Sequence, residues 1–271
     1  MSEEYIPLAE QKRLRAKEIK KHNLANILTH WFNVAMWALL LPTGIAIMAS
    51  PRLGLVPPLW SQAFRNVLGG TANLVHFHYT IGLLWMAVLS FNILVGFRRY
   101  FLPFAARGML LDKDDIEWMK VKPLKMLGLA KDKTLPPQDA YNAGQKVFGY
   151  VVFLGTIAIM ITGLIMTFSY LIPNDLRWIV QWSRPIHFGA VGMIVAGLMV
   201  HVYMAAFFPE EKSAFFSMFN GDVDALYARL HHRKWYEDKL KEEREYEMKV
   251  RLEEIEAHEP ETPEAEKPAT A

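Results

Sequence analysis

Five histidines lie in stretches of this 271-residue chain that contain no Asp, Glu, Lys or Arg. An imidazole buried in apolar surroundings costs free energy unless it has a partner, so such histidines are candidates for a functional role. Cysteine is absent, which excludes disulfides, haem attached through Cys-x-x-Cys-His and cysteine-ligated iron–sulfur clusters. Histidine is therefore the side chain that could bind a metal here. The five are His30, His76, His78, His187 and His201.

These histidines lie on four uncharged stretches, each long enough to cross a bilayer, for which about 20 apolar residues suffice. The stretches are residues 24–49, 73–97, 147–171 and 185–208. They exclude an ordinary soluble globular protein. We expect an all-α fold, an integral membrane four-helix bundle over residues 24–208, in which no internal repeat is evident.

Lys and Arg are distributed unevenly between the segments outside the bundle. Six precede the first stretch and ten lie in the loop 98–146, whereas the other two loops carry two each. Because these residues are enriched on the cytoplasmic side of membranes, both termini and the loop 98–146 are predicted to be cytoplasmic. The protein would then be a multi-pass protein of the inner (cytoplasmic) membrane.

The remaining segments differ in composition. They are an N-terminal segment 1–23, a charged helical extension 209–256 with Leu226, Leu230 and Trp235 as docking positions, and a Pro- and Glu-rich tail 257–271. The tail is predicted to be disordered. Residues 112–115 of the central loop favour the start of a short surface helix, although a solvated linker fits equally.

Helical spacing groups the histidines into two levels of the membrane. His187 and His201 are 14 residues apart, which places them about 40° apart around a helix and about 21 Å apart along it. Because successive helices alternate in direction, His30 pairs with His201 near the inner side, and His76 or His78 pairs with His187 near the outer side. Two bis-histidine levels across one membrane are the arrangement of a dihaem b-type cytochrome. Zinc fits less well, because it prefers three or four protein ligands.

Four glycines could give a porphyrin room between the helices. They are Gly44, Gly82, Gly96 and Gly197, and their spacing from the histidines is close to whole helical turns. Glycine also serves helix–helix contact in membranes, which explains the same pattern. The spacing to Gly82 and Gly96 favours His78 as a ligand, and His76 would then bond a haem propionate or the neighbouring loop.

Polar residues precede the third stretch at the level of the inner histidine pair. A membrane cytochrome needs an electron acceptor, and the chain has no nucleotide-binding motif, so a lipid-soluble quinone is the natural partner. Asn142 could donate or accept a hydrogen bond, Gly144 allows close backbone approach, and Lys146 could bind a haem propionate or a phospholipid. The same residues could simply form a turn and a helix N-cap.

Five short motifs make the chain similar to a known family. They are T-H-W (29–31), H-Y-T-I-G (78–82), Y-N-A-G-Q-K (141–146), I-H-F-G (186–189) and H-V-Y-M-A (201–205). Over roughly residues 20–220, the chain resembles the cytochrome b (gamma) subunits of membrane-bound formate dehydrogenases. The wider group includes cytochrome b subunits of nickel–iron hydrogenases and thiosulfate reductases.

The resemblance implies specific roles for individual residues. His78 and His187 would hold the outer haem iron, and His30 and His201 the inner one. Asn142 and Gly144 would line a menaquinone site with His201 close by.

The expected function is that of a membrane subunit of an oxidoreductase complex, with two haem b groups and no catalytic residue of its own. It would anchor a catalytic dehydrogenase subunit and pass electrons from an iron–sulfur subunit to a quinone. Formate is the expected primary donor, and hydrogen or a sulfur compound is the alternative. The alternatives from other functional classes are a haem-bearing anchor without quinone turnover and a transporter with histidine proton relays. The absence of intramembrane carboxylates disfavours the transporter. Nucleic acid is not an expected partner, and a higher oligomer is compatible with the sequence.

Overall fold

The computed structural model, which describes residues 6–48 and 56–258, is built mainly of helices. Its elements in chain order are α1 (Leu8–Ala16), β1 (Glu18–Lys20), α2 (Leu24–Met48), α3 (Pro58–Leu68), α4 (Thr71–Gly96), α5 (Lys113–Met126), α6 (Ala143–Thr167), α7 (Arg177–Phe207), α8 (Lys212–Asn220), β2 (Asp222–Asp224), α9 (Ala225–His231) and α10 (Arg233–His258). Two π-helical segments, Phe97–Phe101 and Phe104–Met109, follow α4. Helices α2, α4, α6 and α7 are long and apolar enough to cross a membrane, which confirms the predicted helical membrane bundle.

Three of the long helices, α4, α6 and α7, begin earlier than the uncharged stretches. Helix α6 begins at Ala143 because Asn142 and Gln145 form a capping box, in which each side chain accepts the other residue's backbone N–H at 3.0 Å. Helix α7 begins at Arg177 and continues through Pro185. An uncharged stretch marks only the part of a helix suited to hydrocarbon, whereas backbone hydrogen bonds and caps decide where the helix ends.

The four long helices pack as two antiparallel pairs, α2 with α4 and α6 with α7, and the pairs contact each other mainly through α4 and α6. In the first pair, Trp85 Nε1 donates to Asn33 Oδ1 at 2.9 Å. In the second pair, a Cβ on Gly155 would lie only 2.7 Å from Ile194 Cδ1, so the glycine permits close approach of the helices. Interhelical polar bonds and small residues hold helices together where lipid provides no hydrophobic driving force. The bundle therefore consists of two closely packed halves.

One end of the bundle, at which α2 and α6 begin, carries a small folded unit. This proximal unit consists of α1, β1, α8, β2, α9 and α10, and its buried core comprises Ile6, Leu14, Ile19, Val223, Ala225, Leu226, Tyr227, Ala228, Trp235 and Tyr236. Strands β1 and β2 pair antiparallel with Ile19 opposite Val223. Trp31 Nε1 donates to the Met218 carbonyl at 2.7 Å and so connects α2 to the unit. The segments before and after the membrane bundle thus form one structure.

The segment after α7 differs from the continuous helical extension predicted for 209–256. Strand β2 and a turn at His232 interrupt it. Leu226 and Trp235 are buried in the proximal unit as predicted, but Leu230 is 59% exposed. The prediction for Leu230 is wrong because α9 has only seven residues and does not bury that position against the unit. Of the tail predicted to be disordered, residues 257 and 258 still belong to α10, and residues 259–271 lie outside the described residues.

The central loop contains the predicted helix, α5. Asp112 and Asp115 form its capping box, with the backbone N–H of each donating to the other carboxylate at 2.9 Å. Lys234 of α10 forms an ion pair with Asp112 at 2.6 Å. Helix α5 is therefore attached to the proximal unit.

Candidate functional site

His78 of α4 faces Thr43 and Gly44 of α2, the other helix of its pair. The Thr43 hydroxyl lies 2.9 Å from His78 Nδ1 and 2.7 Å from the Leu39 carbonyl. Because a hydroxyl has one hydrogen, which it donates to the carbonyl, its oxygen accepts the Nδ1–H of the imidazole. A Cβ on Gly44 would lie 3.1 Å from His78 Cε1, so the glycine leaves room for the ring. His78 is thereby held in the tautomer whose Nε2 is unprotonated.

His187 of α7 has the same surroundings in the second helix pair. The Thr162 hydroxyl of α6 lies 2.9 Å from His187 Nδ1 and donates to the Ala158 carbonyl at 2.6 Å. A Cβ on Gly163 would lie 3.6 Å from His187 Cε1. Thr162 therefore fixes the same tautomer for His187 that Thr43 fixes for His78.

His78 and His187 belong to different helix pairs, and both lie toward the end of the bundle away from the proximal unit. An unprotonated Nε2 is the nitrogen that binds iron, and a hydrogen bond at Nδ1 orients the ring for it. The geometry agrees with the predicted outer pair, whose role as iron ligands stays a prediction.

His30 of α2 and His201 of α7 form the second pair predicted from spacing, and both lie toward the end of the bundle that carries the proximal unit. His30 Nδ1 is buried and has no hydrogen-bond partner within the described residues. Such an unpaired nitrogen costs about 1–3 kcal/mol. The His201 ring stacks on Phe148, with 5.2 Å between centroids and 18° between planes.

The glycines predicted to give a haem room have different neighbours. A Cβ on Gly82 would meet only a leucine methyl at 3.9 Å, so the space beside it is open. At Gly96 and Gly197 the corresponding space holds Tyr100 and Phe148, whose nearest ring atoms would lie at 3.1 and 2.7 Å. The expectation of haem clearance at these two positions is therefore corrected, because aromatic rings of the chain itself occupy the space.

His76 lies apart from both histidine pairs. Its side chain is exposed, and its ring is edge-on to Tyr79, with 4.9 Å between centroids. Residues two apart lie on nearly opposite faces of a helix, so only one of His76 and His78 can face the interior of the bundle. His78 does so, since it contacts Thr43 and Gly44 of α2, whereas His76 is exposed.

Asn142 is the N-cap of α6, the structural alternative that the sequence left open. Its Oδ1 accepts the Gln145 N–H, whereas its amide Nδ2 has no hydrogen-bond partner in the part of the chain that the structure describes. Gly144 is exposed on one side, and Trp118 of α5 covers the other, where a Cβ would lie 3.4 Å from Trp118 Cη2. With its oxygen engaged in the cap, the Asn142 side chain is available to a ligand mainly as a hydrogen-bond donor.

Lys146 is not available to a propionate or a phospholipid, which corrects the expectation from the sequence. Its ammonium donates to Asp115 Oδ2 at 2.8 Å and to the Leu110 carbonyl at 3.0 Å. Both charged side chains are only 2% exposed. The pair joins α6 to α5, because a buried charge is stabilised by its counter-charge and cannot leave it without a large cost.

The fold and the histidines together define a membrane helical bundle that carries imidazoles from both helix pairs at two levels. An iron porphyrin fits this donor set, since each level offers two imidazoles and the Nε2 atoms of His78 and His187 are unprotonated. Residues 21–221 match the family model of prokaryotic cytochrome b561, and the chain belongs to that family. The protein is therefore a cytochrome b, the class that carries haem b.

Several named proteins are similar to most of this chain. The formate dehydrogenase cytochrome b556 subunit of Haemophilus influenzae is 23% identical over 225 residues, which cover 82% of this chain and 84% of the relative. The formate dehydrogenase cytochrome b556(fdo) subunit of Escherichia coli is 24% identical over 225 residues, covering 83% and 94%. The nitrate-inducible cytochrome b556(Fdn) subunit of the same organism is 28% identical over 129 residues, covering 47% and 56%. These similarities confirm the resemblance indicated by the motifs.

The sequence analysis missed Thr43, Thr162 and Gly163. The signal that could have found them is the dipeptide Thr-Gly, which occurs in α2 and again in α6, each time in the helix that precedes a histidine-bearing partner. The two helix pairs thus repeat one local arrangement. It is not evident as a sequence repeat because few residues besides these are shared.

Proposed function

We propose that this chain is the dihaem b-type cytochrome subunit of a respiratory dehydrogenase complex and passes electrons from an iron–sulfur subunit to a quinone. The observation that carries the proposal is the position of the histidines along the bundle. His78 and His187 lie at one level and His30 and His201 at the other, and each level has one imidazole from each half of the bundle. Two levels of paired imidazoles along one bundle suit two stacked haems.

Bound haem iron would supply one-electron transfer. The residues of the chain would hold each iron between two Nε2 atoms, and at the outer level Thr43 and Thr162 would orient the imidazoles through Nδ1. Because each level joins the two helix pairs, ligation would also fasten the halves of the bundle together.

Formate is the primary donor that the named relatives favour, since these are formate dehydrogenase subunits. Formate would be oxidised on a catalytic partner subunit, and an iron–sulfur subunit would deliver the electrons at the outer haem. A hydrogenase or a reductase of thiosulfate or another sulfur compound is the alternative complex. A higher oligomer of such complexes is compatible with this chain.

The quinone, for which menaquinone is our assignment, would bind beside the inner pair at the start of α6. Asn142 would donate its amide Nδ2–H to a quinone oxygen, and Gly144 would allow the ring to approach the backbone. The capping box of Asn142 also favours a second candidate, a haem-bearing anchor without quinone turnover, because that contact alone explains an asparagine here.

The proximal end of the bundle would face the cytoplasm. The Lys- and Arg-rich segments 1–23 and 98–146 both connect to membrane helices at this end. This distribution supports a multi-pass protein of the inner membrane with both termini cytoplasmic.

Haem quantification of the purified chain tests the ligand assignment. The expected result is two haems b per chain, with one lost in His187→Ala and the other retained. His76→Ala is the matched control, since its exposed ring lies outside both pairs, and it should keep two haems. A colourless wild-type chain, or loss of haem in the control but not in His187→Ala, would contradict the assignment.

Two substitutions of Asn142 separate the two candidate functions. Asn142→Asp keeps a capping oxygen and removes the amide donor, whereas Asn142→Leu removes both. If the amide binds quinone, both variants slow quinone reduction by pre-reduced haem while leaving the haem spectrum intact. A wild-type rate in Asn142→Asp would count against the quinone site at Asn142, and a wild-type chain whose pre-reduced haem does not reduce quinone would favour the anchor.

A further inference from the structure

A chain of titratable side chains crosses the proximal unit from its surface toward the start of α6. Tyr227 OH donates to Glu211 Oε2 at 2.6 Å and lies 3.3 Å from His232 Nε2. The same Nε2 lies 3.1 Å from the Lys21 ammonium. Glu211 is partly exposed, whereas His232 is fully buried. The four groups therefore form a continuous path from solvent into the protein.

The direction of the hydrogen bonds follows from the His232 ring. Its Nδ1 lies 2.6 Å from the Asp139 carbonyl, which can only accept, so Nδ1 carries the hydrogen. Nε2 then accepts from the Lys21 ammonium. Burial lowers the pKa of His232 well below its ordinary value, which keeps the ring neutral and able to accept.

Lys21 lies in a setting suited to releasing a proton. Its ammonium is 5.6–5.8 Å from the ring centroids of Tyr141, Tyr227 and Trp235. No carboxylate lies within ion-pair distance of it among the described residues. Burial lowers the pKa of Lys21 to about 8, against the opposing charge of Glu211. A buried ammonium with aromatic rings and a neutral imidazole as neighbours is less strongly held in its charged form than one paired with a carboxylate.

Position connects this chain to the proposed quinone site. Lys21 is the last member of the chain of side chains and faces Tyr141, the residue directly before Asn142. We propose that Lys21 is the proton donor to a quinone bound at Asn142, and that His232, Tyr227 and Glu211 return a proton to it from the cytoplasm. This inference rests on the proposed function.

The proton balance is simple. Reduction of one quinone takes two electrons, which the partner subunits supply, and two protons. Each time the Lys21 ammonium gives a proton toward the quinone oxygen, His232 Nε2, which carries no proton at rest, takes one from the Tyr227 hydroxyl and passes it to the Lys21 amine. The Glu211 carboxyl returns a proton to the Tyr227 oxygen and is itself protonated from water. Since two protons are needed, Lys21 must be reloaded within one turnover.

Tyr227 and His232 lie beyond residues 21–221, the part that matches the family model. The groups that face Lys21 and bear on its titration are Glu211, Tyr141, Tyr227, His231, His232 and His22.

The test uses the purified full-length chain with its haem reduced by dithionite and then mixed with menadione. Haem reoxidation and proton uptake are followed together, the latter with a pH indicator, in water and in deuterium oxide. In the wild type the rate should decrease above about pH 8, as Lys21 loses its proton. Lys21→Met should lose this inflection, and Tyr227→Phe, which keeps the ring, should be slower by at least about tenfold at pH 7 with a reduced solvent isotope effect.

Lys20→Met is the matched control, because the adjacent Lys20 side chain is exposed and pairs with Asp222 at 3.3 Å. It should match the wild type. A wild-type rate and pH profile in Tyr227→Phe would overturn the proposal, and this variant decides the matter even if Lys21→Met fails to fold. If Tyr227→Phe matches the wild type but Asn142→Asp is slow in the same assay, the proton route is wrong and the quinone site is retained. If Asn142→Asp is also unaffected, the quinone site itself is wrong.

Discussion

Replacing Thr43 by Val tests whether the hydrogen bond to His78 tunes an iron ligand. Valine has nearly the shape of threonine but cannot accept the Nδ1–H that now lies 2.9 Å from the hydroxyl oxygen. Accepting this hydrogen increases the electron density of the imidazole, which favours ferric over ferrous iron. Loss of the acceptor should therefore raise the midpoint potential of the outer haem.

The size of the shift follows from the value of one hydrogen bond. A net contribution of about 1 kcal/mol corresponds to about 40 mV for a one-electron couple, if the whole of it distinguishes the two oxidation states. Since only part of it does so, we expect an increase of roughly 20–40 mV. Thr162→Val should act in the same direction, because Thr162 makes the equivalent bond to His187.

A potentiometric titration of the haem α-band, with two components fitted, measures the effect. The component that disappears in His187→Ala identifies the outer haem, and only this component should shift in Thr43→Val. Thr80→Val is the matched control, because Thr80 is exposed on α4. An outer potential unchanged within roughly 10 mV, or an equal shift in the control, would refute the reasoning.

Three further predictions concern packing and charge. Lys146→Met leaves the Asp115 carboxylate buried without its counter-charge, so the free energy of unfolding should decrease by about 3–5 kcal/mol in thermal unfolding. No measurable decrease would contradict the buried ion pair. Gly197→Ala places a Cβ 2.7 Å from an aromatic ring and should lower the unfolding temperature. Gly192→Ala is the control and should not lower it, because nothing lies within 4 Å of the added Cβ. Equal effects of the two substitutions would contradict the close contact at Gly197. Burial, together with the nearby Lys21 charge, lowers the pKa of His22 to about 4. The unfolded chain therefore binds a proton near pH 6.5 that the folded chain does not. The free energy of unfolding should fall by about 3 kcal/mol as the pH decreases from 6.5 to 4, as measured by tryptophan fluorescence. His22→Asn should show a smaller fall.

Some of the site could be predicted because helices in a membrane obey one-dimensional rules. Fourteen residues separate His187 from His201, and this number fixes both their depth and their shared face once the helix is assumed. The helical periodicity also predicted that His76 and His78 lie on different faces of α4, and the structure exposes His76 while it partly buries His78. For these residues, spacing along the chain is nearly equivalent to position in space.

Other predictions failed where a neighbouring element decided the outcome. From the sequence, Lys146 was expected to be a free cation at a membrane interface, but the Asp115 carboxylate, 31 positions earlier, forms an ion pair with it. From the sequence, Gly197 was expected to leave space for a ligand, but the Phe148 ring of the preceding helix fills that space. No local pattern predicts which side chain will arrive from another helix.

The amino-acid sequence by itself determined the four long apolar helices and the family, because these depend on hydrophobicity and motif. Only the tertiary structure decided which threonines fix the imidazole tautomers and how the chain ends surround Lys21. The physical reason is distance along the chain. The contacts between Thr162 and His187, between Thr43 and His78, and between Lys21 and His232 join residues 25, 35 and 211 positions apart, and they form only when the helices pack.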